Sequence, residues 1–159
     1  MKESNFQGEF KKCLSLSGFW ITKFADVVGG RFTLQKPFDF IAVKDGKPFA
    51  FELKMVKKYQ AIKPRDFIRG KELKDPDIKA NWLLCNQASS LDAFELAGGV
   101  SYLVINVRNR ELRLNEVVFL RWPFARKMIA EGELTAEKLQ WLAESPMFSS
   151  TMKKGMFEF

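Results

Sequence analysis

Residues 36–54 read KPFDFIAVKDGKPFAFELK, two apolar runs joined by Asp45-Gly46. Asp-Gly between alternating apolar residues predicts a two-residue type I′ turn, which needs positive φ at both central positions. That turn fixes the register. Lys44 faces Lys47, Val43 faces Pro48, Phe40 faces Phe51, and Asp39 faces Glu52. Bonded and non-bonded pairs alternate along an antiparallel ladder, so the 43/48 and 39/52 pairs fall at non-bonded positions. Pro48 then breaks no bond to its partner, and the Cα atoms of Asp39 and Glu52 lie about 4.5 Å apart. Like charges directly opposite are destabilising, and a divalent cation held by both would compensate, because hard cations prefer carboxylate oxygens. Period-two alternation puts Glu52 and Lys54 on one face and Phe49, Phe51 and Leu53 on the other. A solvated face whose charges only pair with one another is the plain alternative. The apolar neighbours Phe38, Phe40, Ile41, Val43 and Ala50 favour burial, where a carboxylate pair needs a partner.

The absence of histidine removes whole classes of chemistry. Ser-His-Asp and Cys-His nucleophile systems, His-metal nucleases and imidazole acid/base catalysis all require a residue this chain lacks. Cys13 and Cys85 are too few and too far apart for a disulfide framework or a zinc site, and read as core thiols. A length of 159 residues with 47% hydrophobic content fits one packed domain. No apolar run approaches the roughly 18 residues of a membrane span, and MKESNFQGEF lacks a signal-peptide segment, so a cytoplasmic protein is expected.

A net charge of +7 points to a polyanionic partner, since Lys and Arg that neutralise phosphates release condensed counterions. The charge is concentrated just after the Glu52-x-Lys54 strand, in Lys57, Lys58, Lys63, Arg65, Arg69, Lys71, Lys74 and Lys79, interleaved with Tyr59 and Phe67. DNA contact through Lys57, Lys58, Lys63, Arg65, Arg69 and Lys71 is the expectation. Asp66, Glu72, Asp75 and Asp77 dilute the run, and a solvated segment serving solubility is the alternative.

Periodicity and caps give the remaining elements. Ser4 with Gln7 forms a capping box for a helix over 4–17, with Phe6, Phe10, Cys13 and Leu14 on one stripe. Glu9 falls on the flank of that stripe rather than on the solvent side, unless it is an ordinary surface glutamate. A strand over 19–24, a turn through Gly29-Gly30, strands over 31–44 and 48–56, the basic connector and a helix over about 82–97 follow. Strands over 100–107 and 111–115, turning at Arg108-Asn109-Arg110, complete a core spanning 1–115. Residues 116–159 read as a helical extension and tail, with Pro123 in a first helical turn and Thr135 as a cap. If 83–96 is one helix, Leu83, Leu84, Leu91 and Phe94 form an apolar arc with Gln87 near its centre. If Ser89 and Asp92 cap a later start, Gln87 is a loop residue. The tail residues Met147, Phe148, Met152, Met156, Phe157 and Phe159 are expected to dock on the domain or across a dimer interface, and Trp20, Trp82, Trp122 and Trp141 to lie in the core.

Pro37-Phe38-Asp39 followed by Phe51-Glu52-Leu53-Lys54 resembles the signature of the PD-(D/E)XK nuclease superfamily, with Phe38 inserted where the motif has Pro and Asp adjacent. The stretch from Gln87 to Gly98-Gly99, before the apolar run from Val100, resembles a segment of the Holliday junction resolvases, archaeal-type and RecU-like. The resemblance implies an α/β fold with a restriction-endonuclease-like αβββαβ core, a mixed central sheet flanked by helices. It implies Mg²⁺, with Mn²⁺ able to substitute, held by Asp39, Glu52 and the Leu53 carbonyl, with Glu9 as a third acidic ligand. Lys54 would position or deprotonate the attacking water, its other role being a structural partner of Glu52, and Gln87 would orient that water or touch a phosphate. A homodimer acting on four-way DNA junctions is further implied, in a bacteriophage-infected cell, an archaeon or a bacterium. Two alternatives stand: another endonuclease of the superfamily, of repair or restriction type, and a non-catalytic DNA-binding protein on the same fold. The intact set of Asp39, Glu52 and Lys54 argues against the second.

Overall fold

The computed structural model describes residues 3–24 and 36–150. The Gly29-Gly30 turn, the first part of the strand expected over 31–44, and Met152, Met156, Phe157 and Phe159 lie outside them.

The Asp45-Gly46 turn forms as its chemistry demands, with φ of 51° and 75° at the two positions. It joins β2 (Phe40–Lys44) to β3 (Lys47–Val56) in the expected register, Lys44 against Lys47, Val43 against Pro48 and Phe40 against Phe51. β1 (Trp20–Lys23) adds to the outer side of β2, and β4 (Val100–Asn109) pairs parallel with β3. A parallel partner requires a crossover. It is supplied by the connector, with short 3₁₀ turns at Pro64–Phe67, Gly70–Lys74 and Trp82–Leu84, by α2 (Pro76–Ala80), and by α3 (Asn86–Leu96). With α1 (Glu3–Leu16) in front, the chain runs in the αβββαβ order, an α/β fold with a mixed sheet flanked by helices. β5 (Leu114–Arg121) and β6 (Ser149–Ser150) extend the sheet, and α4 (Trp122–Ala130) and α5 (Ala136–Glu144) pack beside α3.

The sheet divides the interior in two. On one face α1 lays Phe6, Phe10, Cys13 and Leu14 against Phe40, Phe51, Leu53, Val104 and Val117. Phe10 is its centre, with ring centroids 5.2 Å from Phe51 and 5.7 Å from Phe40. On the other face Ala50, Leu103, Ile105 and Val107 meet Leu91 of α3, Ala125 of α4 and Leu139 of α5. The chain turns out of α3 at Gly98, with φ of 97°, and Gly99 follows because a Cβ there would collide with the Phe94 ring.

Several sequence expectations need correction. Ser4 lies inside α1 rather than at its boundary, and its side chain is outside the description. The strand expected over 111–115 starts at Leu114 and runs to Arg121, because Val117, Val118 and Leu120 are buried in alternation against β4. Trp122 is core, but Trp20 and Trp141 are 62% and 55% exposed: the first sits on the edge strand and the second on the outer side of α5. Cys13 and Cys85 are buried and free, as read. Thr135 accepts from the amide of Lys138 and caps α5. No described helix is long and apolar enough to cross a membrane.

The two-sided core makes a contrast that denaturation can measure. Phe10→Ala should cost about 3–5 kcal/mol in urea unfolding, the range for emptying a packed aromatic site. Leu96→Ala, at a side chain 91% exposed, should stay within about 0.5 kcal/mol.

Candidate active site

Strand alternation sends Glu52 and Lys54 to the face occupied by Ala50, toward α3 and the connector. The regular ladder stops one residue short of Asp39. Its amide donates to the Phe51 carbonyl at 3.1 Å, so Asp39 and Glu52 do not form the ladder pair expected from the turn. The Asp39 side chain takes over instead: Oδ2 accepts from the Leu53 amide at 2.8 Å, and Oδ1 lies 3.0 Å from Lys36 Nζ. The carboxylate thus replaces the ladder at the start of β2.

Glu52 is fully buried. Its Oε1 lies 3.3 Å from Lys54 Nζ, and Lys54 Nζ also donates to Gln87 Oε1 at 3.0 Å. The Phe67 ring covers the same ammonium, 4.8 Å from its centroid. Glu52 Oε2 is buried with no hydrogen-bond partner. Burial, and then the nearby negative charge of Asp39, push the Glu52 carboxyl from 4.5 up to about 7, against the opposing pull of Lys54 and Arg69.

Buried polar atoms are nearly always paired, so an orphaned carboxylate oxygen marks a place where a donor or cation belongs. Among the described residues no group of three or more His, Cys, Asp or Glu side chains gathers that could hold a metal. Two carboxylates do meet beside a backbone segment, and that set suits Mg²⁺, which is held by one or two carboxylates and keeps much of its water. Asp39 and Glu52 would offer such an ion its two carboxylates.

The structure brings four of the five anticipated catalytic residues together: Asp39, Glu52, Lys54 and Gln87. Glu9 is not among them. α1 covers the opposite face of the sheet, and there Glu9 Oε2 pairs with Arg108 Nη2 at 2.9 Å. Gln87 fits neither of the two helix readings. The 82–84 turn is separate, Leu84 is exposed, and α3 starts at Asn86, which points Gln87 into the site from its first turn. Of the basic residues, Lys57, Lys58, Lys63, Arg65, Arg69 and Lys71 are all exposed. Three of the four acidic residues that dilute them are engaged with main chain: Asp66 accepts from the Lys63 amide, Glu72 from the Arg69 and Asn86 amides, and Asp75 from the Asp77 amide. Sequence reasoning missed Lys36, Asn86 and Phe67 as parts of the site. Only Lys36 carried a signal, its three-residue spacing from Asp39.

No protein-family description matches the chain, and no curated protein does. Among solved structures it is similar to Hjc, a Holliday junction resolvase from the archaeal hyperthermophile Archaeoglobus fulgidus. The two share 17% identity over 76% of this chain and 77% of that one, with a TM-score of 0.47. At that identity no residue role carries across.

The raised Glu52 carboxyl makes stability depend on pH. Between its unfolded value near 4.5 and its folded value of about 7, the folded chain holds a proton that the unfolded chain has lost. Stability therefore falls as pH rises through this window. In EDTA, Glu52→Gln should match wild type near pH 4.5 and exceed it at pH 8 by on the order of 3 kcal/mol, read by urea unfolding at each pH.

Proposed function

We propose that this protein is a metal-dependent endodeoxyribonuclease that resolves four-way DNA junctions. The observation that carries the proposal is the buried Asp39–Glu52 carboxylate pair, one oxygen of it unsatisfied, with Lys54 held between Glu52 and Gln87. Mg²⁺ is the expected cofactor and Mn²⁺ its substitute, held by Asp39, Glu52 and the Leu53 carbonyl. When bound, such an ion supplies a water-derived nucleophile and offsets charge on the phosphate.

The chain's own residues supply the rest. The Leu53 amide fixes the Asp39 carboxylate in orientation. Gln87 holds the Lys54 ammonium beside Glu52, where it can position the attacking water or meet the negative charge that grows on the phosphate. The Phe67 ring over Lys54 keeps bulk water from that ammonium, and a lower local dielectric strengthens its pull. The connector leads away from the site with Asp66, Glu72 and Asp75 held on backbone amides, and the exposed Lys57, Lys58, Lys63, Arg65, Arg69 and Lys71 outnumber its acids and would present net positive charge to a phosphate backbone. A four-way junction needs two symmetric cuts, which two copies of the chain related by a two-fold axis would make.

Purified protein is incubated with a labelled synthetic four-way junction and with linear duplex, in Mg²⁺ or EDTA. Paired symmetric nicks on the junction alone, dependent on metal, are expected, and Glu52→Gln should bind the junction yet cut at least about 100-fold more slowly. Cleavage of linear duplex without junction preference would replace resolution with a repair- or restriction-type activity. Binding with no cleavage in any metal would leave a DNA-binding protein. Lys57→Ala, Lys58→Ala and Lys63→Ala should each lower the slope of log K against log salt by about 0.9 in a fluorescence-anisotropy titration.

A further inference from the structure

We propose that Lys36 is a resident counter-ion of the metal site, seated on Asp39 while the site is metal-free and displaced from it when a divalent cation binds. The inference rests on the nuclease reading above and concerns how this chain loads its cofactor.

Asp39 has two oxygens and both are engaged. Oδ2 is fixed by the Leu53 amide, a contact that belongs to the fold of the hairpin. Oδ1 is held by the Lys36 ammonium at 3.0 Å. An ion bridging Asp39 and Glu52 needs an oxygen from each carboxylate. Glu52 has one to give, the buried and unpartnered Oε2. Asp39 Oδ1 has a second lone pair, but a divalent cation there would sit beside the Lys36 ammonium, and repulsion between the two positive charges would drive that ammonium away.

The surroundings suit a cation that stays anchored and still moves away. The main chain of Lys36 is tethered, since its carbonyl accepts from Asn86 Nδ2 at 2.7 Å. Asn86 is the residue before Gln87, which holds the other lysine of the site. Two consecutive residues at the start of α3 therefore secure the lysines that face the two carboxylates. Lys54 is pinned by Glu52, Gln87 and the Phe67 ring. Lys36 is slightly more exposed, 16% against 11%, and lies before the β2 strand, and its long stem lets the ammonium shift off Asp39. Without a cation on Asp39 the metal-free protein would hold two neighbouring buried carboxylates against Lys54 and the weaker field of Arg69. Lys36 removes that imbalance and competes with the metal in doing so.

Calorimetric titration of DNA-free protein with Mn²⁺ tests this without recourse to activity. Lys36→Met should bind Mn²⁺ about tenfold more tightly than wild type, the scale of releasing one charged hydrogen bond, and Lys36→Arg should remain within about twofold of wild type. Mn²⁺ should also raise the melting temperature of Lys36→Met more than that of wild type. Lys36→Gln carries the same test should the Met variant not fold. Glu52→Gln in the same titration separates the two readings. If Glu52→Gln loses Mn²⁺ binding while Lys36→Met binds with wild-type or weaker affinity, the site stands and the counter-ion role is overturned. If Glu52→Gln binds Mn²⁺ as wild type does, the metal site itself falls, and the counter-ion role with it.

Discussion

Strand β3 must be buried on both faces and yet carry a glutamate and a lysine, and most of the molecule is arranged around that conflict. An unpaired carboxylate cannot remain ionised in an apolar layer at low cost, and Glu52 reaches water at no point on its surface. It is met by Lys54 on its own strand, by the positive field of Arg69 from the connector, and by a partial retreat from ionisation. Lys54 in turn draws on Gln87 and Phe67. Asp39 adds a second negative charge, and Lys36 answers it. Removing any one partner leaves a buried charge short of compensation, which is the expensive case for buried ion pairs. A group that served packing alone would be replaced by an apolar side chain of similar volume at little loss. Keeping four charges in a desolvated layer makes sense where the layer does chemistry.

The connector gains its character from the same economy of polar groups. Read as composition, residues 57–79 are a mixture of bases and acids. Read as a structure, Asp66, Glu72 and Asp75 are occupied as backbone acceptors at the starts of short helical turns, and Glu72 also holds the first amide of α3. Acids used as caps keep their charge but cannot turn freely to neutralise neighbouring lysines. The segment is moored to the core by Ile62, Phe67 and Ile78, all buried, so its bases are presented from a fixed frame.

The hairpin was legible in the sequence because one dipeptide fixes its register, and register fixes faces. Asp39 was legible as a neighbour of Glu52 but not in its contacts: the ladder ends at Phe40, and whether a side chain or a backbone satisfies the Leu53 amide depends on atoms that no pattern of hydrophobicity encodes. Glu9 shows a different limit. A helical wheel places it beside the buried stripe of α1, yet says nothing of which face of the sheet the helix will cover, and α1 covers the one opposite Glu52. Gln87 was recognisable as a misplaced polar residue, but the break between the 82–84 turn and α3 rests on Asn81 and Cys85, whose capping geometry only the fold reveals. Lys36 was lost because three-residue spacing to an aspartate is common in any lysine-rich chain.

Burial also decides how a substrate can meet this site. Asp39 and Glu52 side chains are 1% and 0% exposed, whereas those of Lys36 and Lys54 are 16% and 11% exposed. Solvent therefore reaches this cluster along the two lysine side chains rather than at the carboxylates. The Phe67 side of Lys54 is closed by a ring that belongs to the main core and packs on Trp122, so opening there would cost core packing. On the other side the Lys36 side chain lies against Asp39 Oδ1. A phosphate drawn along the exposed bases of the connector would meet positive charge first and the carboxylates second. That order suits a polyanion, because approach to two bare carboxylates would be repelled, whereas approach to their lysines is attractive until a metal ion takes over the neutralisation.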